Sequence, residues 1–385
     1  MLQETIRILK DLVAFPVLGG ESNLSIAGYI AEYLEGLGVE VHFIPNAAGD
    51  KRSIHCRIGP TADGGIVLSG HTDVVPVAGQ DWQTDPFTLT KIGDKWYARG
   101  SADMKGFLAC CLAMAPAFLK ADLKRPIYLA FSYDEEVGCL AGAELAETIM
   151  HFYPERPRYA LIGEPSMLQP LLGHKGICVL KTTVLGSAGH SSRIKSEVSA
   201  IHEAAKLVVW LENKMNDLVE NGTNDPRFTP PHSSIHIGQI AGGVAPNVIA
   251  DKCTFYWDVR IVPGDRLEDV LEAFAAHCAE TEETLRKRFS GSAIITEEDH
   301  PLVPPLSCPE DADLVQWVKT WTGNTHTSTA AYAAEAGQFA EAGFEALICG
   351  PGDIAQAHRA NEFVAEEQLA KCLDMLGSLM LEFSK

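Results

Sequence analysis

An α/β protein of two domains is the expectation from three features of the 385-residue chain: its length, an alternation of amphipathic helical stretches with short apolar runs rich in β-branched residues, and a change of texture near Lys175-Gly176. A chain this long exceeds what one hydrophobic core usually organises. Alternating strands and helices imply a layered sheet with mostly parallel strands, and sites in such sheets gather at the carboxyl ends of the strands. Past Gly176 the pattern becomes that of antiparallel strands with one solvated face. The order β-α-β-β-α-β over residues 177–299 suits a small open-faced split-βαβ domain. Residues 1–176 and 300–385 would then form the main domain, with the smaller one inserted.

Along the chain, Leu2, Ile6, Leu9, Leu12 and Val13 recur at helical spacing before Pro16. Ile26, Ile30, Tyr33 and Leu34 repeat the pattern up to Gly36–Gly38. Strands are expected at Val39–Ile44, Arg52–Ile58 and Gly65–Ser69, the last running into His71, and the aromatic-bearing stretch Asp81–Tyr97 reads as a covering loop and hairpin. A small, apolar helix should follow from Phe107 to Leu119, and a continuous apolar strand from Pro126 to Ser132. That strand ends in Tyr133-Asp-Glu-Glu136, and the strand Tyr159–Ile162 ends in Gly163-Glu164-Pro165. In the inserted block, strands are expected at Cys178–Leu185, Ser234–Gly238, Thr254–Ile261 and Ser292–Thr296, with helices at Val198–Val219 and Arg266–Arg288. Helices Asp311–Trp321 and Glu335–Ala342, strand Glu345–Cys349, the loop to His358 and a last helix Ala365–Phe383 complete the chain.

The formal net charge of −20 argues against nucleic-acid or anionic-membrane partners, which need clustered Lys and Arg. Ten scattered cysteines without a Cys-x-x-Cys read as free buried thiols in a reducing compartment. The N-terminal stretch mixes acid and base and lacks a basic region followed by an apolar core, and no run approaches the roughly 20 apolar residues of a membrane span. A cytoplasmic protein is the expectation.

Chemistry concentrates at the expected strand ends. His71 and Asp73, two apart in an extended segment, fall on one face, where a carboxylate can fix an imidazole's tautomer and leave its other nitrogen for a cation. Asp103 lies in the loop Arg99-Gly-Ser-Ala-Asp-Met-Lys-Gly106, as a helix N-cap or as a ligand. The carboxylates at 134–136 are either a solvated loop or a group facing something positive, since burying them unpaired is expensive. His71, Asp103, Glu136, Glu164 and His358 form an oxygen-rich donor set with two imidazoles, which suits Zn²⁺, Co²⁺ or Mn²⁺ rather than a thiolate site. Five ligands are too many for one open zinc. They suit two ions sharing a bridging carboxylate, with Asp103 the natural bridge.

At these residues the chain resembles the co-catalytic zinc family of aminoacylases, desuccinylases and carboxypeptidases, and most closely its acetylornithine deacetylase branch. The resemblance spans nearly the whole chain through Ser-Gly-His71-Thr-Asp73, Asp85-Pro-Phe, Arg99-Gly-Ser-Ala-Asp103-Met-Lys-Gly, Asp134-Glu135-Glu136-Val-Gly, Gly-Glu164-Pro, His174-Lys-Gly, Gly-His190-Ser-Ser and Gly350-Pro-Gly with Ala-His358. It implies a zinc-exopeptidase-like catalytic domain with an inserted ferredoxin-like lid, a homodimer formed through that lid, and a cis peptide at Asp103-Met104. It implies that His71 and Glu164 hold one ion, Glu136 and His358 the other, and that Asp103 bridges. Asp73 would orient His71, and Glu135 would be the base that takes a proton from water and hands it to the leaving amine. His190 would donate to the oxyanion, in its own subunit or across the dimer, while Asn247 and Arg260 would bind the substrate's carboxylate.

The substrate implied is a small N-acyl amino acid, N2-acetyl-L-ornithine foremost, giving ornithine and acetate for arginine biosynthesis. The branch typically carries Gly-Thr-Glu-Ala-Gly before the last strand, where this chain has Ala333-Ala334-Glu335-Ala336-Gly337. Glu335 favours a substrate bearing a side-chain ammonium, whereas loss of the Thr hydroxyl leaves succinyl-diaminopimelate desuccinylase, an aminoacylase or a dipeptidase as alternatives. An inactive metal-binding sensor is the alternative of another class, and the intact Glu135 argues against it.

Overall fold

The β-branched runs Ile66–His71, Ile127–Ser132, Tyr159–Pro165 and Glu345–Gly350 are buried along almost their whole length, which only the centre of a covered sheet provides. The computed structural model describes residues 1–385. It divides into two compact units, Met1–His174 with Leu306–Ala330 and Ala334–Lys385, and Lys175–Pro305 with Ala331–Ala333.

In chain order the first unit contains helices α1 (Leu2–Val13) and α2 (Leu24–Gly36), then strands β1 (Val41–Pro45), β2 (Arg52–Ile58) and β3 (Ile66–His71). The hairpin β4 (Thr90–Ile92) and β5 (Lys95–Tyr97) precedes α3 (Lys105–Lys120), β6 (Ile127–Ser132), α4 (Gly142–Phe152), β7 (Tyr159–Pro165) and β8 (Leu171–His174). The second unit contains β9 (Gly176–Leu185), β10 (Gly189–His190), α5 (Ala200–Asn221), β11 (Ser234–Gly242), β12 (Val248–Ile249), β13 (Lys252–Ile261), α6 (Leu267–Arg286) and β14 (Ala293–Val303). The chain then returns through β15 (Leu306–Ser307), α7 (Asp313–Thr322), β16 (Ser328–Ala330), α8 (Ala336–Glu341), β17 (Glu345–Gly350), β18 (Phe363–Ala365) and α9 (Glu366–Phe383).

The large sheet has the order β1-β2-β6-β3-β7-β17-β8-β15, with β16 added on β8. Its four central strands, β6-β3-β7-β17, are mutually parallel, with His71 beside Ser132 and Gly350 beside Pro165. Their carboxyl ends therefore fall along one edge, and the loops that follow them meet there. The expectation of a mostly parallel sheet is corrected at the flanks. β1, β2, β8 and β15 each pair antiparallel, since β1–β2 is a hairpin and β8 and β15 adjoin the points where the chain enters and leaves the second unit. The core of this unit is built from apolar faces of α1, α3, α7 and α9 against the sheet, with Leu9, Leu12, Phe107, Leu112, Leu376 and Phe383 fully or almost fully buried.

The second unit is a four-stranded antiparallel sheet of order β11-β13-β9-β14 joined as β-α-β-β-α-β. Alternate residues of β9 and β13 point into a core with α5 and α6, including Cys178, Leu180, Phe255, Trp257 and Val259. Strand β14 continues to Val303, well beyond the expected Thr296, so the unit extends to Pro305 rather than residue 299. All ten cysteines are free and buried. No helix is long and apolar enough to cross a membrane.

Candidate metal centre and active site

His71 is the last residue of β3, Glu164 lies near the end of β7, Glu135 and Glu136 follow β6, and His358 is in the loop after β17. Because these four strands are parallel neighbours, residues far apart in sequence converge at one sheet edge. Asp103 joins them from the loop before α3. It does not cap that helix, whose N-cap residue is Met104, and the Asp103–Met104 peptide is cis. Gly106 lets this loop close on the helix start, because a Cβ there would lie 2.5 Å from the Ser101 carbonyl oxygen.

The donor atoms are within reach of shared ions. His71 Nε2 lies 3.2 Å from Asp103 Oδ1, 3.7 Å from Glu164 Oε1 and 3.9 Å from Glu135 Oε2. His358 Nε2 lies 2.9 Å from Glu136 Oε2 and 3.6 Å from Asp103 Oδ2. Two groups have all their donor atoms within 4.8 Å of one another: His71 with Glu135 and Glu164, and His71 with Asp103 and Glu136. Asp103 thus touches both imidazoles, as a bridging carboxylate must, while Glu135 also comes to donor distance.

Electrostatics test whether cations fit here. Burial, reinforced by neighbouring carboxylates, pushes Glu135 and Glu164 well above the usual carboxylate range and Glu136 up to about 7. Burial opposes ionisation of Asp103 too, but the His71 hydrogen bond and the two imidazoles hold it below its ordinary value. His71 shows the converse: burial works against its protonation, yet Asp103, Asp73, Glu135 and Glu164 raise it well above an ordinary histidine. Four buried carboxylates around two imidazoles are a strongly negative pocket that divalent cations would neutralise, and oxygen-rich donors with imidazole suit Zn²⁺, Co²⁺ or Mn²⁺. The residues fit a pair of metal ions.

Asp73 faces two groups. The His71 Nδ1 atom is 3.0 Å from the Asp73 backbone carbonyl, and the Asp73 carboxylate is farther, at 3.5 Å. That carboxylate also accepts the backbone N–H groups of Glu135 and Glu136, at 3.2 and 3.1 Å. It aims the acidic turn as well as facing the imidazole. Asp134, in the left-handed region at φ 57°, anchors the same turn by accepting from Lys51 Nζ and from the Gly20 N–H at 2.8 Å.

Glu335 is almost wholly buried at the start of α8, one of its carboxylate oxygens has no hydrogen-bond partner, and burial raises it to about 7. In the second unit, His190 and Asn247 are brought together. The Ser191 N–H donates to the Asn247 carbonyl at 3.0 Å, and His190 pairs with Val248 across β10 and β12. His190 Nδ1 also lies 2.8 Å from Ser192 Oγ. Arg260 is elsewhere in that unit, on β13 between Ile177 and Ser234, half-buried and 3.4 Å from Asp258.

Two supports escaped sequence reasoning. Glu362 is fully buried and accepts from Arg99 and from the N–H groups of Gly100, Ala102 and Asp103. Cys139 Sγ donates to Glu135 Oε1 at 3.4 Å. Nothing in the spacing marks either: Glu362 meets Arg99 across 263 residues, and Cys139 has no motif around it.

A parallel-centred α/β sheet whose strand ends gather two imidazoles among buried carboxylates defines a metal-dependent hydrolase acting on amide bonds. The chain belongs to peptidase family M20/M25/M40, whose family model matches residues 67–382. It is 33% identical to an acetylornithine deacetylase of Aliivibrio salmonicida over 360 residues, covering 94% of this chain and 92% of that protein. It is also 33% identical to the acetylornithine deacetylase of Klebsiella pneumoniae over 389 residues, covering 98% and 97%. Among solved structures, an M20 family metallo-carboxypeptidase from Sulfolobus solfataricus superposes with a TM-score of 0.76 at 18% identity, covering 99% of both chains. A tripeptidase from Staphylococcus aureus gives the same TM-score and identity, covering 100% and 99%.

Proposed function

We propose that the protein removes the acyl group from an N-acyl amino acid, N2-acetyl-L-ornithine foremost, releasing ornithine and acetate for arginine biosynthesis. The observation that carries this reading is the buried Glu135 carboxylate, poised beside His71 with Asp103, Glu136, Glu164 and His358 around it. The near full-length similarity to acetylornithine deacetylases supports the substrate.

In this reading His71 and Glu164 would hold one divalent ion, Glu136 and His358 the other, and Asp103 would serve both. Zinc is the first choice, with cobalt or manganese as substitutes. Bound ions would supply Lewis acidity toward the amide carbonyl and toward water. Glu135 accepts the proton of the attacking water at a carboxylate oxygen and returns it to the leaving nitrogen as the C–N bond breaks. Burial favours the protonated form of Glu135, which strengthens it as a base once it is ionised. Asp73 keeps it aimed through the Glu135 N–H. His190 donates to the developing oxyanion, and Asn247 and Arg260 hold the substrate's carboxylate, with the inserted unit serving as lid and homodimer contact in a cytoplasmic enzyme.

Ala333-Ala334, in place of a Gly-Thr pair, favours keeping a second reading in the same class: a desuccinylase, aminoacylase or dipeptidase. The deciding experiment loads the metal-free protein with zinc or cobalt and measures amine release from N-acetylornithine, N-succinyl-diaminopimelate, a dipeptide and a panel of N-acetyl amino acids. A kcat/KM for N-acetylornithine at least tenfold above the others is expected. Preference for another member reassigns the substrate, and no turnover of any member overturns the enzymatic reading.

A further inference from the structure

Of the five candidate ligands, His358 is the least constrained by packing: its side chain is 59% exposed and its backbone sits in the left-handed region at φ 62°. An exposed imidazole on such a backbone needs something else to hold it. Its carbonyl accepts from Gln80 Nε2 at 2.9 Å. The other end of the same amide, Gln80 Oε1, accepts from Arg99 Nη2 at 2.7 Å and from Trp82 Nε1 at 3.1 Å. Arginine and indole N–H groups can only donate and a carbonyl can only accept, so a single orientation of the Gln80 amide satisfies all three partners.

Arg99 continues the chain. Its Nη1 donates to Glu362 Oε2 at 2.7 Å, within an ion pair whose side chains are 1% and 0% exposed. The Glu362 carboxylate also accepts the Gly100 N–H at 2.9 Å, the Ala102 N–H at 2.8 Å and the Asp103 N–H at 3.0 Å. A second tie runs alongside, since Asn361 accepts from the Gln83 N–H at 2.8 Å and donates to the Asp81 carbonyl at 3.2 Å. Asp103 and His358 are distant in sequence, yet they hang on one unbroken series of hydrogen bonds through side chains that offer no atom to an ion. Removing one partner of a buried charge pair or a buried nest leaves the other uncompensated, so the series has little freedom to rearrange.

We infer that Gln80, Arg99 and Glu362 are positioning residues that pre-set Asp103 and His358 for the same ion, so that the affinity of that ion depends on them although they do not touch it. The inference rests on the assignment of Asp103, Glu136 and His358 as ligands. Partners that orient ligands from behind commonly change metal affinity by about 10- to 100-fold.

Cobalt titration of metal-free protein, followed by calorimetry and by the visible absorption of the bound ion, tests both levels. The wild type should take up two equivalents; a single equivalent overturns the ligand assignment and this inference with it. Gln80→Ala should bind one equivalent within about twofold of wild type and the other at least about tenfold more weakly. Excess cobalt should then restore turnover. Gln80→Glu, which can still accept from Arg99 but cannot donate to the His358 carbonyl, should show the same selective loss. Glu362→Gln should weaken uptake further, but Gln80→Ala decides the matter even if that variant fails to fold. Wild-type affinity for both equivalents in Gln80→Ala, or equal weakening of both, overturns the relay.

Discussion

Replacement of Glu135 by glutamine isolates the proposed base. The substitution keeps the side chain's shape, and the backbone N–H of residue 135 remains on Asp73 Oδ1, so the acidic turn is undisturbed. The Cys139 thiol still meets an accepting Oε1. What disappears is a carboxylate able to take a proton 3.9 Å from His71 Nε2. A positioned general base is worth about 10²- to 10⁴-fold. The upper part of that range applies because Glu136 and Glu164 would hold ions in the proposed reading and Glu335 is sealed at 1% exposure. A loss of about 10³- to 10⁴-fold in kcat is expected, equivalent to about 4 to 5 kcal/mol of barrier. KM and the two-ion stoichiometry should stay within about twofold of wild type, since the amide does not remove a ligand. The metal-free variant should be at least as stable as wild type at pH 8, because burial raises the native carboxyl and so penalises its ionised form. Amine release under saturating metal, with metal analysis on the same sample, reads the outcome. A kcat within tenfold of wild type with two ions bound refutes the assignment of Glu135.

Asp73→Asn should lower kcat by about 10²-fold and weaken one metal equivalent, because its amide group turns a donor toward one of the Glu135 and Glu136 N–H groups; metal analysis and steady-state kinetics check this. Arg260→Ala should raise KM for an N-acyl amino acid at least about tenfold while leaving two ions bound, and an unchanged KM removes Arg260 from the substrate's carboxylate. His55 supplies a pH dependence remote from the metals. Burial, ahead of its neighbour His42, pushes its imidazole from 6.5 down to about 4, so between those values the unfolded chain binds a proton that the folded one does not, and stability falls as pH drops. The cost between pH 7 and pH 5 is about 2 kcal/mol, and denaturant titrations of His55→Leu at the two pH values should show a pH difference smaller by that amount.

The parts of the site legible in the sequence are those that local geometry creates. An apolar run ending in His-x-Asp or Asp-Glu-Glu reads as a strand that delivers polar side chains to its end, and the central four strands do this at one edge because they are parallel. Asp73 shows where local geometry stops. The two-residue alternation puts its carboxylate on the His71 face, 3.5 Å from Nδ1, but nothing local shows that it also accepts the amides of Glu135 and Glu136, 62 and 63 residues away. Helix α4 has a local signal too, since Leu145, Ala146 and Ile149 have helical spacing and are all buried. The short edge strands β8, β15 and β16 left no comparable mark, since pieces of two to four residues show no period.

Glu362 and Gln80 belong to a third case, in which no pattern within any window could speak. The Arg99–Glu362 contact spans 263 residues and the Gln80–His358 contact spans 278. Each of these residues looks ordinary in its own segment, and each is defined by what it meets. Ligands can be read from a sequence because a metal selects residue types, imidazole and carboxylate, whatever holds them. The residues that hold them answer only to unpaired N–H and C=O groups created by the fold, and a glutamine, an arginine and a glutamate are common enough to meet that need without leaving a motif. Selective loss of one cobalt equivalent in Gln80→Ala would therefore measure what the tertiary structure adds to a site whose candidate ligands are visible in the chain.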